Sequence, residues 1–209
     1  MKNICLKKKK CTNCKKEFTP TQPLQQVCSY QCALILIKQK QAKEKKQSWT
    51  KEKLEMKDKL KTLSDWKNDL QKEINAIIRE IDKGHGCIAT GSHSGQQHAG
   101  HYFSVGANST LRFHLENIWL QSMHSNSWKG GDTIRYQEGI ITLYGKNYLD
   151  YLNSLQSIKP LQLSKSDIEE KIPIARGILK WLKLQNRKFT NEERLELRIK
   201  FNKEIGIYG

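Results

Sequence analysis

The side chains best suited to chemistry in this chain are its six histidines, which all lie between positions 85 and 124. Four of them fall within residues 96–131, QHAGHYFSVGANSTLRFHLENIWLQSMHSNSWKGG, together with several glycines and asparagines. Imidazole nitrogens and amide oxygens bind divalent metal ions, and a neutral imidazole accepts protons near pH 7. This segment therefore indicates metal-assisted chemistry.

The order of residues in this segment predicts a nuclease site. His101 ends a short apolar run, Asn117 follows a loop containing Gly106 and Asn108, and Asn126 comes nine residues later in a segment that can be helical. An imidazole that takes a proton from water, an amide that fixes a loop and an amide oxygen that holds a hard cation make up a ββα-metal (HNH) site. The spacing suits a β-hairpin packed on one helix. The alternative is a set of ordinary surface histidines and turn asparagines.

The charge of the chain predicts a polyanionic partner. The formal net charge is +16 and the sequence pI is about 9.6, which favours nucleic acid because phosphate contacts release counterions. Residues 1–80 hold 20 Lys and Arg against 9 Asp and Glu, so +11 of the charge lies there. The N-terminal half is therefore expected to bind DNA, although a solvated face is the better reading for any single lysine. The expected contacts there are Lys7, Lys8, Lys9, Lys10, Lys15 and Lys16.

Membrane and export signals are not expected in this sequence. Its longest apolar run, residues 33–37, is far shorter than the ~20 residues needed to span a bilayer. The basic N-terminal segment lacks the apolar core and cleavage site of a signal peptide. We therefore expect a cytoplasmic protein in a reducing compartment, where cysteines serve as ligands more often than as disulfides.

Four cysteines have the spacing of a structural zinc site. Cys11 and Cys14 form one close pair, and Cys28 and Cys32 follow after thirteen residues. Two thiolate pairs on knuckle-like turns supply the tetrahedral sulfur set that structural zinc prefers. We predict one zinc ion in a module of residues 1–37, with Cys5 outside the pattern.

Beyond this module the pattern predicts helices. Residues 38–63 are charged almost all round, which is typical of a solvated helical connector. Ser64 is predicted to cap a second helix whose apolar residues recur at helical spacing, at Trp66, Leu70, Ile74, Ile77, Ile78 and Ile81. Residues 156–209 form a C-terminal helical region that could complete the core, form a homodimer or widen the DNA-binding surface. The predicted fold is α+β and mostly helical: a four-cysteine zinc module, a charged connector, a small HNH-like core at 64–155 and further helices.

Three segments in order carry a family resemblance. They read CTNCKKEFTPT…VCSYQC, LSDWKNDLQKEINAIIREIDKGHGC and the histidine-rich stretch above, and they resemble the NinG (Rap) family of phage recombination proteins from about residue 11 to 151. The resemblance implies a structure-selective endonuclease with an HNH-like site that acts on branched recombination intermediates, D-loops and Holliday junctions. It also implies a phage- or prophage-encoded protein in a bacterial host, with a phage recombinase as a candidate partner.

The chain departs from the family at a second zinc knuckle. Family members bracket the nuclease hairpin with two further Cys-x-x-Cys motifs, but here only Cys87 remains, and Thr90, Ser122 and Ser125 stand at the other three positions. One thiolate and three hydroxyls do not make a structural zinc site. We expect no second zinc, with Ser122 and Ser125 hydrogen-bonded to Thr90. An active zinc-free enzyme is the favoured interpretation, and a decayed relative that only binds DNA is the alternative.

A second departure concerns the catalytic metal. Many HNH sites have an aspartate directly before the base histidine, where this chain has Gly100. Side chains alternate along a strand, so His98 shares a face with position 100. His98 and Asn126 are therefore the predicted ligands of Mg²⁺ or Mn²⁺. His101 is the predicted general base, and Asn117 is expected to orient it through backbone contacts.

Two cations near this segment, Arg112 and Lys129, are candidates to grip the scissile phosphate, and a plain surface charge is equally expected for both. His124 is a reserve metal ligand. The sequence thus leaves two functions. The first is a metal-dependent endonuclease of recombination, and the second is a zinc-containing DNA-binding accessory protein that recruits a recombinase and cuts nothing.

Overall fold

The structure is a computed structural model that describes residues 7–128 and 132–208. It divides into two compact units, Met1–Lys61 and Thr62–Gly209. The described chain is mostly helical with two small antiparallel sheets, so the α+β, mostly helical prediction is confirmed at this level. Among the described residues, no helix is both long and apolar enough to cross a membrane.

The first unit is a short hairpin followed by one long helix. Strand β1, Lys9–Lys10, pairs with β2, Glu17–Phe18. Helix α1, Tyr30–Leu60, begins at Ser29, whose side chain accepts a hydrogen bond from the Cys32 backbone N–H. The predicted module and connector therefore share one continuous helix. Cys32 is the only residue of α1 that is buried, which agrees with a solvated helix.

The second unit is organised around helix α2, Leu63–Ile81. All six apolar residues predicted on its inner face are buried. The predicted cap is wrong by two residues, because Thr62 rather than Ser64 precedes the helix. Thr62 accepts from the Asp65 N–H while the Asp65 carboxylate accepts from the Thr62 N–H. This reciprocal pair requires an acidic or amide side chain three residues after the cap, which Ser64 lacks because Lys67 stands there.

A β-hairpin packs against α2 and carries the histidine-rich segment. Strand β3, Gln97–His101, pairs with β4, Ile118–Ser122, from Gln97 opposite Ser122 to His101 opposite Ile118. The intervening loop contains two short 3₁₀ turns, Ser109–Leu111 and Leu115–Asn117. After β4 the chain forms one turn of π-helix, His124–Trp128.

Four further helices complete this unit: α3, Thr133–Tyr144; α4, Lys146–Ser154; α5, Lys165–Gln185; and α6, Asn191–Ile205. Reciprocal side-chain and backbone bonds begin α5 at Ser164 and α6 at Thr190. Helix α5 continues through Pro173 and packs along α2. Side chains from α2, α5, α6 and the hairpin share one apolar core. Residues 156–208 thus belong to the same compact unit as the hairpin.

Candidate functional site

The four predicted zinc ligands lie together in the first unit. The Sγ atoms of Cys11, Cys14, Cys28 and Cys32 all lie within 4.8 Å of one another. Cys28 Sγ is 3.6 Å from Cys14 Sγ and 3.7 Å from Cys32 Sγ. Four sulfurs at about 2.3 Å from a tetrahedral ion stand about 3.8 Å apart, so the cluster has the dimensions of a structural metal site such as zinc. Within the described residues it is the only such group of histidine, cysteine and acidic side chains.

Local turns favour the thiolate form of Cys11 in this cluster. Burial by itself raises the pKa of Cys11, but hydrogen bonds from the backbone of Cys14, Cys28 and Asn13 outweigh it and lower the pKa to about 6. The Cys11 N–H donates to Lys16 O, and the Lys15 N–H donates to Cys11 O. Lys15 has a φ of 62°, which closes the tight turn between the first cysteine pair and β2.

His101, the predicted base, is the last residue of β3. Its Nε2 lies 2.9 Å from the backbone oxygen of Arg112, across the loop. A backbone carbonyl only accepts, so Nε2 carries the ring proton and Nδ1 keeps the lone pair. Burial lowers the pKa of His101 below its ordinary value. The imidazole is therefore neutral near pH 7 and held in one orientation, which are the two properties that a general base requires.

Asn117, directly before β4, hydrogen-bonds the start and the middle of the loop. Its Oδ1 accepts from the Phe103 N–H at 2.8 Å, and its Nδ2 donates to Phe103 O at 3.0 Å and to Leu111 O at 3.1 Å. Its backbone oxygen accepts from the Tyr102 N–H at 2.8 Å. Asn117 is buried, so these bonds do not compete with solvent. The amide fixes the chain on both sides of the carbonyl that orients His101.

The predicted metal ligands lie around Gly100. A Cβ added at Gly100 would stand 2.1 Å from Gln121 Oε1 and 3.0 Å from Asn126 Oδ1. The register pairs His98 with Gln121, so His98, Gly100 and Gln121 share one face of the hairpin, and alternation puts His101 on the other. Two amide oxygens thus occupy the space beside residue 100. An imidazole and amide oxygens fit a divalent cation of the Mg²⁺ or Mn²⁺ type.

The four positions of the second knuckle keep their turns although only one of them, Cys87, carries a thiol. The Thr90 and Gly91 N–H groups both donate to Cys87 O, at 3.2 Å and 2.7 Å. Ser122 and Ser125 hydroxyls bond each other at 3.3 Å, and the Ser125 N–H donates to Ser122 Oγ. The expected bonds from the two serines to Thr90 are not among those of the described residues, because Thr90 Oγ1 instead accepts from the Ser92 N–H.

Cys87 is buried at the centre of this region and links the two turns. Burial raises the pKa of its thiol, but hydrogen bonds from the Ser122 backbone and the Thr90 and Ser122 side chains outweigh this effect and lower it. The sulfur therefore lies beside polar groups of both the turn at residues 87–91 and the end of β4.

An ionic network that the sequence did not reveal also holds the hairpin. Asp82, fully buried after α2, accepts from the Leu120 N–H of β4 at 2.8 Å. Its carboxylate also accepts from Arg194 Nε at 2.9 Å and from Arg198 Nη2 at 2.8 Å. The Arg198 guanidinium lies 3.7 Å from the Trp119 ring centroid. Burial raises the pKa of Asp82, but the two arginines outweigh it and keep the pKa below its usual value.

Some of the predicted DNA-binding cations are hydrogen-bonded within the protein. Lys7, Lys8, Lys10 and Lys16 are exposed, whereas Lys9 Nζ donates to Pro23 O and Lys15 Nζ donates to Thr12 O. Arg112 donates from Nη2 to Asn68 Oδ1 of α2 at 2.7 Å, and burial lowers its pKa. Lys129 lies outside the described residues. His124, the reserve ligand, is exposed on the π-helical turn.

Fold and site together define a mostly helical protein with a module of four close cysteines, which has the dimensions of a metal site, and a histidine-bearing hairpin. The family model described as "Bacteriophage Lambda NinG protein" matches residues 3–186. The chain therefore belongs to the NinG family.

Individual relatives agree with the family match. The chain is 29% identical over 164 residues to Protein ninG of Escherichia phage lambda, covering 70% of this chain and 80% of that protein. It is 31% identical over 162 residues to Protein ninG of Escherichia phage 933W, covering 70% and 81%. It is 30% identical over 164 residues to Protein ninG of Salmonella phage P22, covering 70% and 81%. No solved structure matches the chain.

Proposed function

We propose that this chain is a metal-dependent, structure-selective DNA endonuclease with an HNH-like site, acting on branched recombination intermediates such as Holliday junctions and D-loops. The observation that carries the proposal is the orientation of His101 by the Arg112 carbonyl, in a loop whose start and middle are hydrogen-bonded to Asn117. A general base needs this combination of a fixed ring and a free lone pair. The preference for branched DNA rests on the family resemblance.

In the proposed reaction, His101 Nδ1 accepts a proton from a water molecule that attacks a DNA phosphodiester. The ring proton on Nε2 stays hydrogen-bonded to Arg112 O, so the imidazolium that forms keeps its orientation. Asn117 acts as a positioning residue, because its buried amide hydrogen-bonds the backbone of the loop. His98 and Asn126 would hold a divalent cation beside Gly100, on the face of the hairpin opposite to His101, where it would supply charge stabilisation for bound DNA phosphate.

The charge distribution supports DNA as the substrate. Residues 1–61 carry 17 Lys and Arg against 5 Asp and Glu, and α1 is exposed along almost all of its length. A long exposed cationic helix suits phosphate contacts that are independent of base sequence. We therefore assign general DNA binding to this unit and cleavage to the hairpin.

The decisive experiment incubates the purified chain with a Holliday junction, a D-loop and a linear duplex, each with Mg²⁺, Mn²⁺ or EDTA. We expect metal-dependent cleavage of the branched DNAs. His101→Ala should lower the rate by roughly 10²–10⁴-fold while leaving folding and junction binding near wild type. His93→Ala is the matched control, since His93 precedes β3 and lies outside the proposed site, and it should cut normally. Wild-type rates for His101→Ala would refute the assignment.

A further variant separates the metal from the base. Asn126→Ala should be partly rescued by higher Mn²⁺ or Mg²⁺, because its defect is in metal binding, whereas His101→Ala should not respond. The competing function, a non-catalytic accessory protein that recruits a recombinase to DNA, is favoured by one observation. A glycine, Gly100, precedes His101 where a metal-binding aspartate is usual. Tight junction binding without cleavage under any divalent cation would establish that function.

A further inference from the structure

Helix α1 carries its positive charge on one side. Successive residues turn by about 100° around the helix axis, so one half of the helix surface can be centred on Trp49. That half, the Trp49 face, has a net charge of +5 and holds one acidic residue, Glu52, with six lysines: Lys38, Lys45, Lys46, Lys53, Lys57 and Lys59. The opposite half is neutral, with three lysines and three acidic residues: Lys40, Lys43, Lys51, Glu44, Glu55 and Asp58.

The ion pairs of α1 lie on the neutral half. Lys40 Nζ and Lys51 Nζ each stand 4.0 Å from the glutamate four residues later, and Lys61 Nζ stands 2.6 Å from Asp58 Oδ1. Within residues 7–128 and 132–208 the six lysines of the Trp49 face form no ion pair, and all six are exposed. Their ammonium groups are therefore accessible to the phosphates of a ligand.

Trp49 presents an accessible aromatic ring in the middle of this charge. Its side chain is 66% exposed, whereas Trp66 and Trp119 are buried. The partly exposed Trp181 differs, because its ring packs edge-on against Phe201 with the centroids 6.1 Å apart. An indole is the largest apolar side chain, so covering it on binding is favourable. The Trp49 face thus combines a stacking surface with flanking cations.

We propose that the Trp49 face binds single-stranded DNA, with the indole of Trp49 stacked on an unpaired base and the lysines on the phosphates to either side. Proteins that bind single strands combine a cationic track with aromatic rings on which bases stack. The bases of a duplex already stack on one another, so a duplex offers the lysines its phosphates but offers Trp49 no base. Trp49 should therefore favour DNA with an unpaired strand.

This proposal deepens the proposed function and rests on it for its setting. A D-loop contains a displaced single strand, whereas the four arms of a Holliday junction are fully paired. The Trp49 face would accordingly distinguish these two branched DNAs, and the hairpin of the second unit would carry out cleavage.

A second copy of α1 fits this face less well than DNA does. Apolar residues do recur there every seven residues, at Ile35, Ala42, Trp49 and Met56. A coiled coil also needs an apolar residue three positions after each of these, and the chain has Lys38, Lys45, Glu52 and Lys59 there. Two faces of net charge +5 would also repel each other.

The test measures fluorescence anisotropy of labelled DNA with the full-length chain in EDTA. The probes are a single-stranded oligonucleotide of about 16 nucleotides, a D-loop, a blunt duplex and a Holliday junction. Trp49→Ala should weaken binding of the single strand and the D-loop roughly 5–150-fold, the usual effect of removing one stacking ring, and should change binding of the paired DNAs by less than about twofold. Alanine keeps the helix, since it is the best helix former.

The matched control is Leu54→Ala, which removes a side chain that is 56% exposed on the neutral half of the same helix. It should bind all four DNAs like wild type. Saturating single-stranded DNA should also quench the part of the tryptophan fluorescence that Trp49→Phe lacks. Single-strand affinity of Trp49→Ala equal to that of Leu54→Ala would overturn the proposal.

Two triple variants test the lysines at equal change in charge. Lys45, Lys46 and Lys53 are changed to Gln on the Trp49 face, and Lys40, Lys43 and Lys51 on the neutral half. The first triple should lower the slope of log affinity against log salt for the single strand by about 2, since each phosphate contact contributes about 0.7. The second should lower it clearly less. Equal losses would show that only total charge matters and would overturn the assignment to one face.

These measurements separate this proposal from the proposed function, because they need no cleavage. Binding that depends on Trp49 in a chain that never cuts DNA would support the Trp49 face and refute the nuclease. Metal-dependent cleavage with single-strand affinity independent of Trp49 would do the reverse. Binding of polyglutamate that requires Trp49, with single-strand affinity unchanged in Trp49→Ala, would assign the face to an acidic protein and overturn the proposal.

Discussion

Asp82→Asn tests what holds the hairpin in place. The wild-type carboxylate receives hydrogen bonds from the Leu120 N–H, from Arg194 Nε and, at both oxygens, from Arg198 Nη2. Asparagine keeps the shape but removes the charge between two buried guanidinium groups, and it turns an N–H donor toward at least one of the donors already present. Breaking a buried ion pair from one side costs about 3–5 kcal/mol, because it leaves a buried charge uncompensated.

This cost should be visible as a large fall in melting temperature. A unit of about 150 residues loses roughly 2–4 °C per kcal/mol, so we expect Asp82→Asn to melt roughly 6–20 °C below wild type. Near-UV circular dichroism suits the measurement, since the Trp119 ring lies directly against Arg198. Asp150→Asn, on an exposed position of α4, is the matched control and should change stability by less than about 0.5 kcal/mol.

A double variant isolates the pairwise contribution. Combining Asp82→Asn with Arg198→Met should cost clearly less than the sum of the two single changes, because both remove the same interaction. The pH dependence of stability tests the same interaction. The pKa of folded Asp82 lies below its usual value, so its stabilisation is complete above the ordinary aspartate pKa and is lost as the pH falls through the folded pKa. A melting temperature for Asp82→Asn equal to that of Asp150→Asn would refute the role of this network.

Three further predictions concern metal, DNA and pH. Wild type should contain one zinc ion per chain; Cys14→Ser should lose it and Cys87→Ser should retain it, and elemental analysis giving two ions would contradict this. Removing residues 1–61 should weaken binding to branched and linear DNA and make that binding less dependent on salt. Fluorescence-anisotropy titrations of DNA that are unchanged by the truncation would contradict the assignment of DNA binding to these residues. Burial lowers the pKa of His114 to about 4, so the unfolded chain takes up the proton first, and up to about 3 kcal/mol of stability should be lost between pH 6.5 and 4. The free energy of unfolding, measured with denaturant at pH 6.5 and pH 4, should fall less in His114→Phe than in wild type. Burial raises the pKa of Glu116, which favours the folded state as the pH falls, but this contribution is the same in both proteins. An identical pH dependence of the two proteins would contradict the role given to His114.

Local patterns in the sequence predicted the helices well. The inner face of α2 was readable because its apolar residues recur at helical spacing, and every one of them is buried. Helix α6 begins with a reciprocal pair of the same kind as α2, between Thr190 and Glu193, which stand three residues apart. The start of α2 was misplaced because Ser64 and Thr62 are both good caps in isolation, and only the partner at position 65 distinguishes them.

The buried network was hidden for a physical reason. Arg194, Arg198 and Asn202 repeat every four residues on the inward face of α6, which they share with the apolar Phe201 and Ile205. Arginine is seldom buried, so this spacing predicts a solvent-exposed face. The buried partner of the two arginines, Asp82, lies more than a hundred residues earlier in the chain. A pairing over that distance leaves no trace in any local pattern.

The residue types of the candidate site were readable, but their arrangement was not. The sequence favoured His98 as a replacement for a carboxylate at position 100, on alternation alone. The structure adds Gln121, whose Oε1 would lie 2.1 Å from a Cβ at that position. Nothing in the sequence separates this glutamine from its neighbours, because its proximity depends on the hairpin register that pairs it with His98.

The loss of three knuckle thiols and the ionic network are connected through β4. A second zinc would hold the turn at Cys87 to the end of this strand from outside. In this chain Cys87 still lies beside Ser122, whose polar groups lower the pKa of its thiol, and Asp82 holds the middle of the same strand through the Leu120 N–H. Because Arg194 and Arg198 hold Asp82 in turn, the position of the hairpin depends on α6. The C-terminal helices are therefore part of the scaffold of the candidate site, and a chain that lacks them should lose the orientation of His101 even with all of its site residues present.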